Sequence, residues 1–405
     1  MRFIGLDVHL DFCEVAICEA GRVRSGGRVP TSPHGLAILA NSLGPDDHVA
    51  LEATGNALAI ARALEPHVAR VVVATRTELR AITEAKVKTD RRDARMLARL
   101  LAAGLLNGSW LPDEQTRALR RRLARRAQLV RQRTRAKNEI HAVLLRTLKG
   151  RPPVTDAFGK RGRSWLAALD LPGDERETVD GCLRQIDFLD AEISILERGI
   201  AEHALGSEAI KRLVTVTGVS LMTATTFIAA VGDIRRFPEP RKLVGYLGLD
   251  PKVRQSGIGA ARHGRISKQG ASQVRQMLTE AAFVAVSTPG PMRAFYERVR
   301  ARRGSQIAIV AVARKLAVLF WHLLTRDEDY AYQRPSLTRK KLRALELRAG
   351  AHRHPGSRAL PTKNAYSQRA HRERERELSE QAETAYRRLV ADWTATAPTR
   401  SPATT

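Results

Sequence analysis

Aromatic residues are only 5% of the 405-residue chain, too few for base stacking to be the obvious way of holding a nucleic acid. Cysteine is scarcer still. Cys13, Cys18 and Cys182 are the whole complement, which excludes a disulfide scaffold and fits a reducing compartment. Acidic residues are in deficit, 42 against 69 Lys and Arg, leaving a net charge of +27. No apolar run is clean enough for lipid: the best, Ile307 to Leu324, carries Arg314 and Lys315 at its centre. Charges there are costly in a bilayer, so a buried helix is expected and a membrane partner is not. Asp7 and Asp11 interrupt any signal-peptide pattern at the N-terminus, and no internal repeat stands out. What the chain does have is 43% hydrophobic residues, enough for cores in two or three domains. The charge surplus then points to a polyanionic partner, nucleic acid first.

The surplus is unevenly placed. Residues 1–100 hold 14 basic and 12 acidic side chains, 117–163 hold 16 and 2, and 164–234 hold 5 and 12. The first segment therefore keeps its carboxylates, which a phosphate-binding surface avoids unless a metal ion mediates the contact. The second is an Arg-rich helical stretch, Asp113 to about Lys149, without Pro or Gly. A merely solvated helix would mix in acids. Arg120, Arg121, Arg125 and Arg126 are accordingly candidates for polynucleotide contact. In the third, Ile186, Leu189, Ile193, Leu196 and Ile200 are spaced 3, 4, 3, 4. That spacing makes either a coiled-coil seam or a helix packed on its own domain.

Hydrophobic alternation and breakers in the first hundred residues predict an order of elements. Phe3–Val8, Phe12–Cys18 and Arg22–Val29 read as strands, and Ser32-Pro33 opens a helix to about Leu43. His48–Glu52 is a strand, Asn56–Leu64 a helix, Val68–Ala74 a strand and Thr89–Ala103 a helix. Three strands, helix, strand, helix, strand, helix is the α/β ribonuclease H-like order. Four segments are expected: a catalytic domain over 1–110, an Arg-rich helical and coiled-coil region over 111–205, a mostly α domain over 206–330, and a basic, partly disordered extension over 331–405. In the extension a charged helix over Arg369–Glu383 is the most that is expected.

Four acids stand where surface charges would not. Asp7 interrupts an apolar strand, Glu52 ends another, and Asp90 and Asp93 share a face at a helix start. Together they can form an oxygen-ligand site for Mg²⁺, with Mn²⁺ as an alternative ion. Taken singly, Asp90 also fits a helix cap and Asp7 a satisfied structural residue.

Three segments carry these acids: Ile4-Gly5-Leu6-Asp7, Leu51-Glu52-Ala53-Thr54-Gly55, and Lys88-Thr89-Asp90-Arg91-Arg92-Asp93-Ala94-Arg95. They resemble the acidic motifs of the DEDD insertion-sequence transposases, the "IS one-ten" family, whose N-terminal domain is RuvC-like. Leu243 to Pro251, Gln255-Ser256-Gly257 and Ile266-Ser267-Lys268-Gln269-Gly270 resemble that family's transposase-domain signature, so the likeness runs over roughly residues 1–325. It implies that Asp7, Glu52, Asp90 and Asp93 hold the metal and that Ser256 is the nucleophile. It further implies DNA partners (element ends and target), a structured guide RNA encoded beside the gene, a homo-oligomer, and a cytoplasmic, nucleoid-associated location in a prokaryote.

Around Ser256 the residues themselves are compatible with phosphate chemistry. Gly257 and Gly259 let the backbone approach a phosphate, and Arg254, Arg262, Arg265 and Lys268 can neutralise it. The residues alone also allow a plain phosphate-contacting serine, with Ser267 as a competing hydroxyl and His263 as a proton shuttle or simple contact. Leu213 to Ser220 resembles a helix-hairpin-helix turn, or is an ordinary helix–helix turn. Two other functions remain open on sequence: a RuvC-like nuclease hydrolysing branched DNA, and a non-catalytic nucleic-acid-binding protein.

Overall fold

The computed structural model describes residues 1–75, 79, 89–108, 110–255, 261–352 and 363–396. They fall into two compact units, Met1–Asp113 and Glu114–Thr405. The first is mixed α/β and the second mostly helical.

In the first unit, β1 (Phe3–Val8), β2 (Phe12–Glu19) and β3 (Arg22–Pro30) form an antiparallel meander. β4 (His48–Glu52) and β5 (Arg70–Ala74) run parallel to β1, giving the sheet order β3-β2-β1-β4-β5. The helices are α1 (Pro33–Ser42), α2 (Ala57–Leu64) and α3 (Asp90–Ala102). Strand alternation decides which residues meet which helix. Ile4, Leu6 and Val8 join Val49 and Leu51 in a core with Leu36, Ile60 and Leu64 on one face. The other face, carrying Phe3, Gly5 and Asp7, lies under α3. There Ala50 of β4 packs with Leu97, and Ala16 and Cys18 of β2 pack on Ala94 and Ala98. A Cβ at Gly5 would collide with the Ala94 carbonyl and the Ala98 nitrogen, so the bare strand is what lets the helix come this close. By the same period of two, Asp7, Glu14 and Glu52 belong to the α3 face.

The second unit begins with α4 (Glu114–Arg146), α5 (Lys160–Ala168) and α6 (Gly173–Leu205). α4 and α6 pack antiparallel. Leu119 and Leu123 meet Ile200, Leu129 meets Leu189 and Ile193, and Ile140 and Leu144 meet Ile186. The spaced seam on α6 is thus filled by α4 of the same chain. Beyond it come α7 (Glu208–Val214), α8 (Leu221–Val231), α9 (Pro240–Tyr246) and a two-stranded ribbon of β6 (Pro251–Arg254) and β7 (Arg262–Ile266). They are followed by α10 (Ser272–Val286), α11 (Pro291–Arg303), α12 (Ser305–Arg326), α13 (Pro335–Arg348) and α14 (Lys363–Thr396). α12 covers the apolar run noted in the sequence. It is long and apolar enough to span a bilayer by composition, but its stripe of Val312, Leu316 and Phe320 is fully buried in the unit's main core. The Phe320 ring meets Phe227 edge-on at 4.9 Å.

Two features refine the sequence reading. The turn over Leu213 to Ser220 is packed inward: Thr215, Val216 and Val219 are buried, and Gly218 at φ 88° leaves no room for a Cβ beside Ala281 and Ala285. It behaves as a helix–helix turn. The C-terminal extension is more ordered than expected, with two helices, the second reaching Thr396; residues 353–362 and 397–405 lie outside the described ones. Hydrogen bonding to acids, not an apolar stripe, docks α14. Glu375 accepts from the Ser336 amide at 2.8 Å and its hydroxyl at 2.5 Å, at the start of α13. Glu383 accepts from the Gly290 amide at 3.0 Å and from Arg293 Nε at 2.8 Å, at the start of α11. Helix N-termini have free amides, so each carboxylate fills an existing need.

Candidate functional site

Asp7 is the next-to-last residue of β1, and Glu52 ends the neighbouring parallel strand β4. The pairing of Leu6 with Leu51 brings these carboxyl ends side by side, where open α/β sheets bind ligands. A tie reinforces this end of the sheet. Thr54 Oγ1 donates to Asn56 Oδ1 at 3.1 Å, and Asn56 Nδ2 donates to the His9 carbonyl at 3.1 Å. The third contributor is the start of α3. Thr89, not Asp90, caps it, its Oγ accepting from the Arg92 amide at 3.4 Å. Asp90 and Asp93 lie in the first turn, a position the helix dipole favours for acids.

His9, which the sequence reading passed over, sits between two of these carboxylates. Its Nε2 lies 3.2 Å from Asp7 Oδ2 and 3.4 Å from Asp90 Oδ1. The three side chains can present ligand atoms to a single ion. That nitrogen is buried yet aligned for a hydrogen bond with neither carboxylate, as suits a cluster shaped around a bound cation. Burial holds the Asp7 carboxyl above the usual aspartate range, repulsion from Asp93 and Asp90 adds to this, and His9 pulls the other way. The structure thus brings Asp7, Asp90 and Asp93 into mutual influence, and sheet register sets Glu52 beside them. The donor set, carboxylate oxygens and one imidazole, fits a divalent ion. The spacing of His9 from Asp7 carried the missed signal: two residues apart, they share a side of the chain.

The second set of expected residues is divided by the structure. Ser256 lies outside the described residues, between the strands of the β6–β7 ribbon. Arg254 and Arg262 face one another across that ribbon, and both are exposed, as are Arg265 and Lys268. Like charges directly opposite destabilise a two-stranded ribbon. The competing hydroxyl, Ser267, is engaged inside the protein, donating to Asp250 Oδ1 at 2.6 Å.

On α4 the four arginines have different surroundings. Arg120 donates to the Ala229 carbonyl at 2.6 Å and the Ala230 carbonyl at 2.8 Å, closing the end of α8. Arg126 pairs with Glu197 on α6 at 2.5 Å. Arg133 with Asp190 and Arg146 with Glu175 continue the row. The basic block at 117–163 is therefore partly neutralised by the acidic block that follows it in sequence. Arg121 and Arg125 remain exposed and, among the described residues, are bonded only near their own positions on α4, to Glu114 and Gln128. Hydrogen bonds to a charged group contribute about 1.5–3 kcal/mol, whereas exposed substitutions fall within about 0.5 kcal/mol. Arg120→Ala is therefore expected to lower the chemical-denaturation stability by about 2 kcal/mol, and Arg125→Ala to leave it unchanged. Equal stability of the two variants would contradict this assignment.

A family model described as "Transposase IS116/IS110/IS902 family" matches residues 210–297, and a DEDD transposase model of the IS110 type matches residues 4–148. The chain is 30% identical over 299 residues to the "Probable family 20 transposase" of Pseudomonas aeruginosa, covering 70% of this chain and 85% of that protein. It is 28% identical over 257 residues to the transposase for insertion sequence element IS1111A of Coxiella burnetii, covering 60% and 68% respectively. The acidic cluster falls inside residues 4–148 and the β6–β7 ribbon inside residues 210–297. The chain belongs to the IS110/IS116/IS902 family of insertion-sequence transposases.

Proposed function

We propose that this transposase cuts and rejoins DNA by Mg²⁺-dependent chemistry through a serine-linked intermediate, with Asp7, Glu52, Asp90 and Asp93 as ion ligands and Ser256 as nucleophile. The observation that carries the reading is the convergence of Asp7 and Asp90 on His9 Nε2 at the carboxyl end of β1. The strand order β3-β2-β1-β4-β5, with β4 and β5 parallel to β1, supports a ribonuclease H-like, RuvC-like class for this unit. A bound divalent ion polarises a phosphodiester and stabilises the leaving oxygen. Mn²⁺ satisfies the same oxygen ligands. Asp7 is fixed by its strand, Asp90 and Asp93 by a capped helix, so the ligands are held before substrate arrives. His9 lies close enough to accept or return a proton at Asp7 or Asp90. Arg254, Arg262, Arg265 and Lys268 flank the Ser256 segment in sequence and would neutralise a phosphate there.

The remaining parts of the reading rest on family resemblance: a guide RNA encoded beside the gene, a multimeric assembly on element ends and target, and a nucleoid-associated cytoplasmic location. The exposed Arg121 and Arg125 support a polynucleotide partner of either kind. The test uses the purified chain with DNA carrying its element ends and with RNA transcribed from the flanking segment. Chelation should abolish cleavage, Mg²⁺ should restore it, and cleavage should need the RNA. Metal-independent cleavage would overturn the ion assignment, and RNA-independent recombination would overturn the guide.

A further inference from the structure

Glu14 is a carboxylate that the cluster described above does not use. It lies on β2 directly opposite Asp7 of β1 and directly opposite Arg28 of β3, so three charged residues form one row across the sheet. Its side chain is 2% exposed, and each oxygen has an arginine: Arg28 Nε at 2.9 Å from Oε2 and Arg91 Nε at 3.3 Å from Oε1. With both oxygens engaged by guanidiniums, Glu14 is not placed to be a further ion ligand. The two arginines are themselves 58% and 73% exposed. Arg28 also stacks on Phe12, 4.4 Å above the ring, and its Nη2 comes within 4.0 Å of Asp90 Oδ2.

Stability does not account for this arrangement. Ala16 and Cys18, on the same face of β2, pack against α3 without charge, and an apolar residue at position 14 would continue that pattern. Burying a carboxylate is costly, and solvent-exposed partners return little of that cost. What the arrangement does achieve is orientation. Arg28 Nε donates a hydrogen bond to Glu14 Oε2 and Arg91 Nε pairs with Oε1, so Glu14 tethers both guanidiniums while most of each side chain stays exposed. Among the described residues, neither has another acceptor within hydrogen-bond distance. The aromatic contact and the two anchors restrict side chains that would otherwise sample many rotamers.

We propose that Arg28 and Arg91, held by Glu14, form a phosphate-binding subsite at the rim of the carboxylate cluster, and that its ligand is a backbone phosphate of the DNA strand being cut. The proposal rests on the reading of Asp7 and its neighbours as the cleavage centre. Four carboxylates would repel the approaching strand. Two oriented guanidiniums beside them hold one phosphate by paired donors and so fix which phosphodiester lies over the cluster. Glu14 is then a positioning residue, acting through the arginines.

The test measures binding of the full chain to DNA in Ca²⁺, and separately cleavage in Mg²⁺. Single phosphates around the cut are replaced in turn by neutral methylphosphonates. For the parent, one replacement next to the cut should weaken binding about tenfold. In Arg28→Met/Arg91→Met that same replacement should have no further effect, and the log–log salt slope should fall by about 0.7 to 0.9, the value for one phosphate contact. Glu14→Gln should keep a folded circular-dichroism spectrum and blur the dependence over neighbouring phosphates. An undiminished methylphosphonate effect in the double variant would overturn the subsite. Metal-independent cleavage with the phosphate effect intact would instead overturn the cleavage-centre reading alone, so the two failures are distinguishable.

Discussion

Asp7→Asn should lose strand cleavage by about a thousandfold while folding at least as well as the parent. The two effects have one origin. Several kcal/mol of transition-state stabilisation come from a bound divalent ion, and each 1.36 kcal/mol is tenfold in rate. Removing a ligand charge that is fixed in a strand forfeits most of it. The folded chain, however, tolerates the charge of Asp7 poorly: burial and the neighbouring Asp93 and Asp90 hold its carboxyl above the ordinary aspartate value. Between those two values the folded state binds more protons than the unfolded one, so stability falls as pH rises through that window. A neutral asparagine of the same shape removes that penalty. Without metal, the melting temperature of Asp7→Asn at pH 7 should equal or exceed the parent's. With Mg²⁺ at a hundred times its dissociation constant, the parent should gain about 2.7 kcal/mol and the variant much less. Full activity in Asp7→Asn, or an equal Mg²⁺ gain in both, would refute the ligand role.

The candidate acids stood out in the sequence because each violated a local pattern. Asp7 follows Phe3, Ile4 and Leu6 in a strand whose other alternating side is wholly buried. Thr89 supplies the cap that Asp90 does not need to supply. The order of strands and helices was legible for a similar reason, since period-two and period-3.6 patterns alternate sharply over residues 1–103. His9 and Glu14 were less visible. A lone histidine after an aspartate has many ordinary explanations. Glu14 looks like a surface residue until its registers to Asp7 and Arg28 are known, and register is a property of paired strands.

The helical unit was legible only in part, and the misses share a cause. The seam from Ile186 to Ile200 fits a partner helix from any source, and only the packed structure identifies Leu119, Leu129 and Ile140 of the same chain as its complement. The arginines of α4 looked uniform, yet acids some fifty to seventy residues later separate Arg126 from Arg125. Helix α14 has no broad apolar stripe to reveal it. Its docking depends on Glu375 and Glu383 meeting amides 39 and 93 residues away. Long-range polar pairing leaves no periodic trace.

Ser256→Ala should eliminate the covalent protein–DNA species and with it strand exchange, leaving DNA binding intact. A recombinase that rejoins strands without an external energy source must conserve the phosphodiester bond energy. Attack by a serine oxygen on phosphorus forms a phosphoserine ester and expels a deoxyribose hydroxyl. Attack by that class of hydroxyl on the ester then reverses the step and frees the serine. Water in place of serine would dissipate the bond. A serine hydroxyl is a weak nucleophile, so the surrounding charge must stabilise the phosphorane-like transition state. The opposed Arg254 and Arg262 on the ribbon, with Arg265 beside them, provide positive charge on both strands flanking the serine segment. Suicide DNA substrates nicked near the cut should trap the adduct on denaturing gels, and peptide mapping should place it at Ser256. The alanine variant should bind the same DNA within about twofold and trap none. Adduct formation at another residue, or recombination undiminished by Ser256→Ala, would move the chemistry to water activated at the carboxylate cluster and make the protein a nuclease in mechanism.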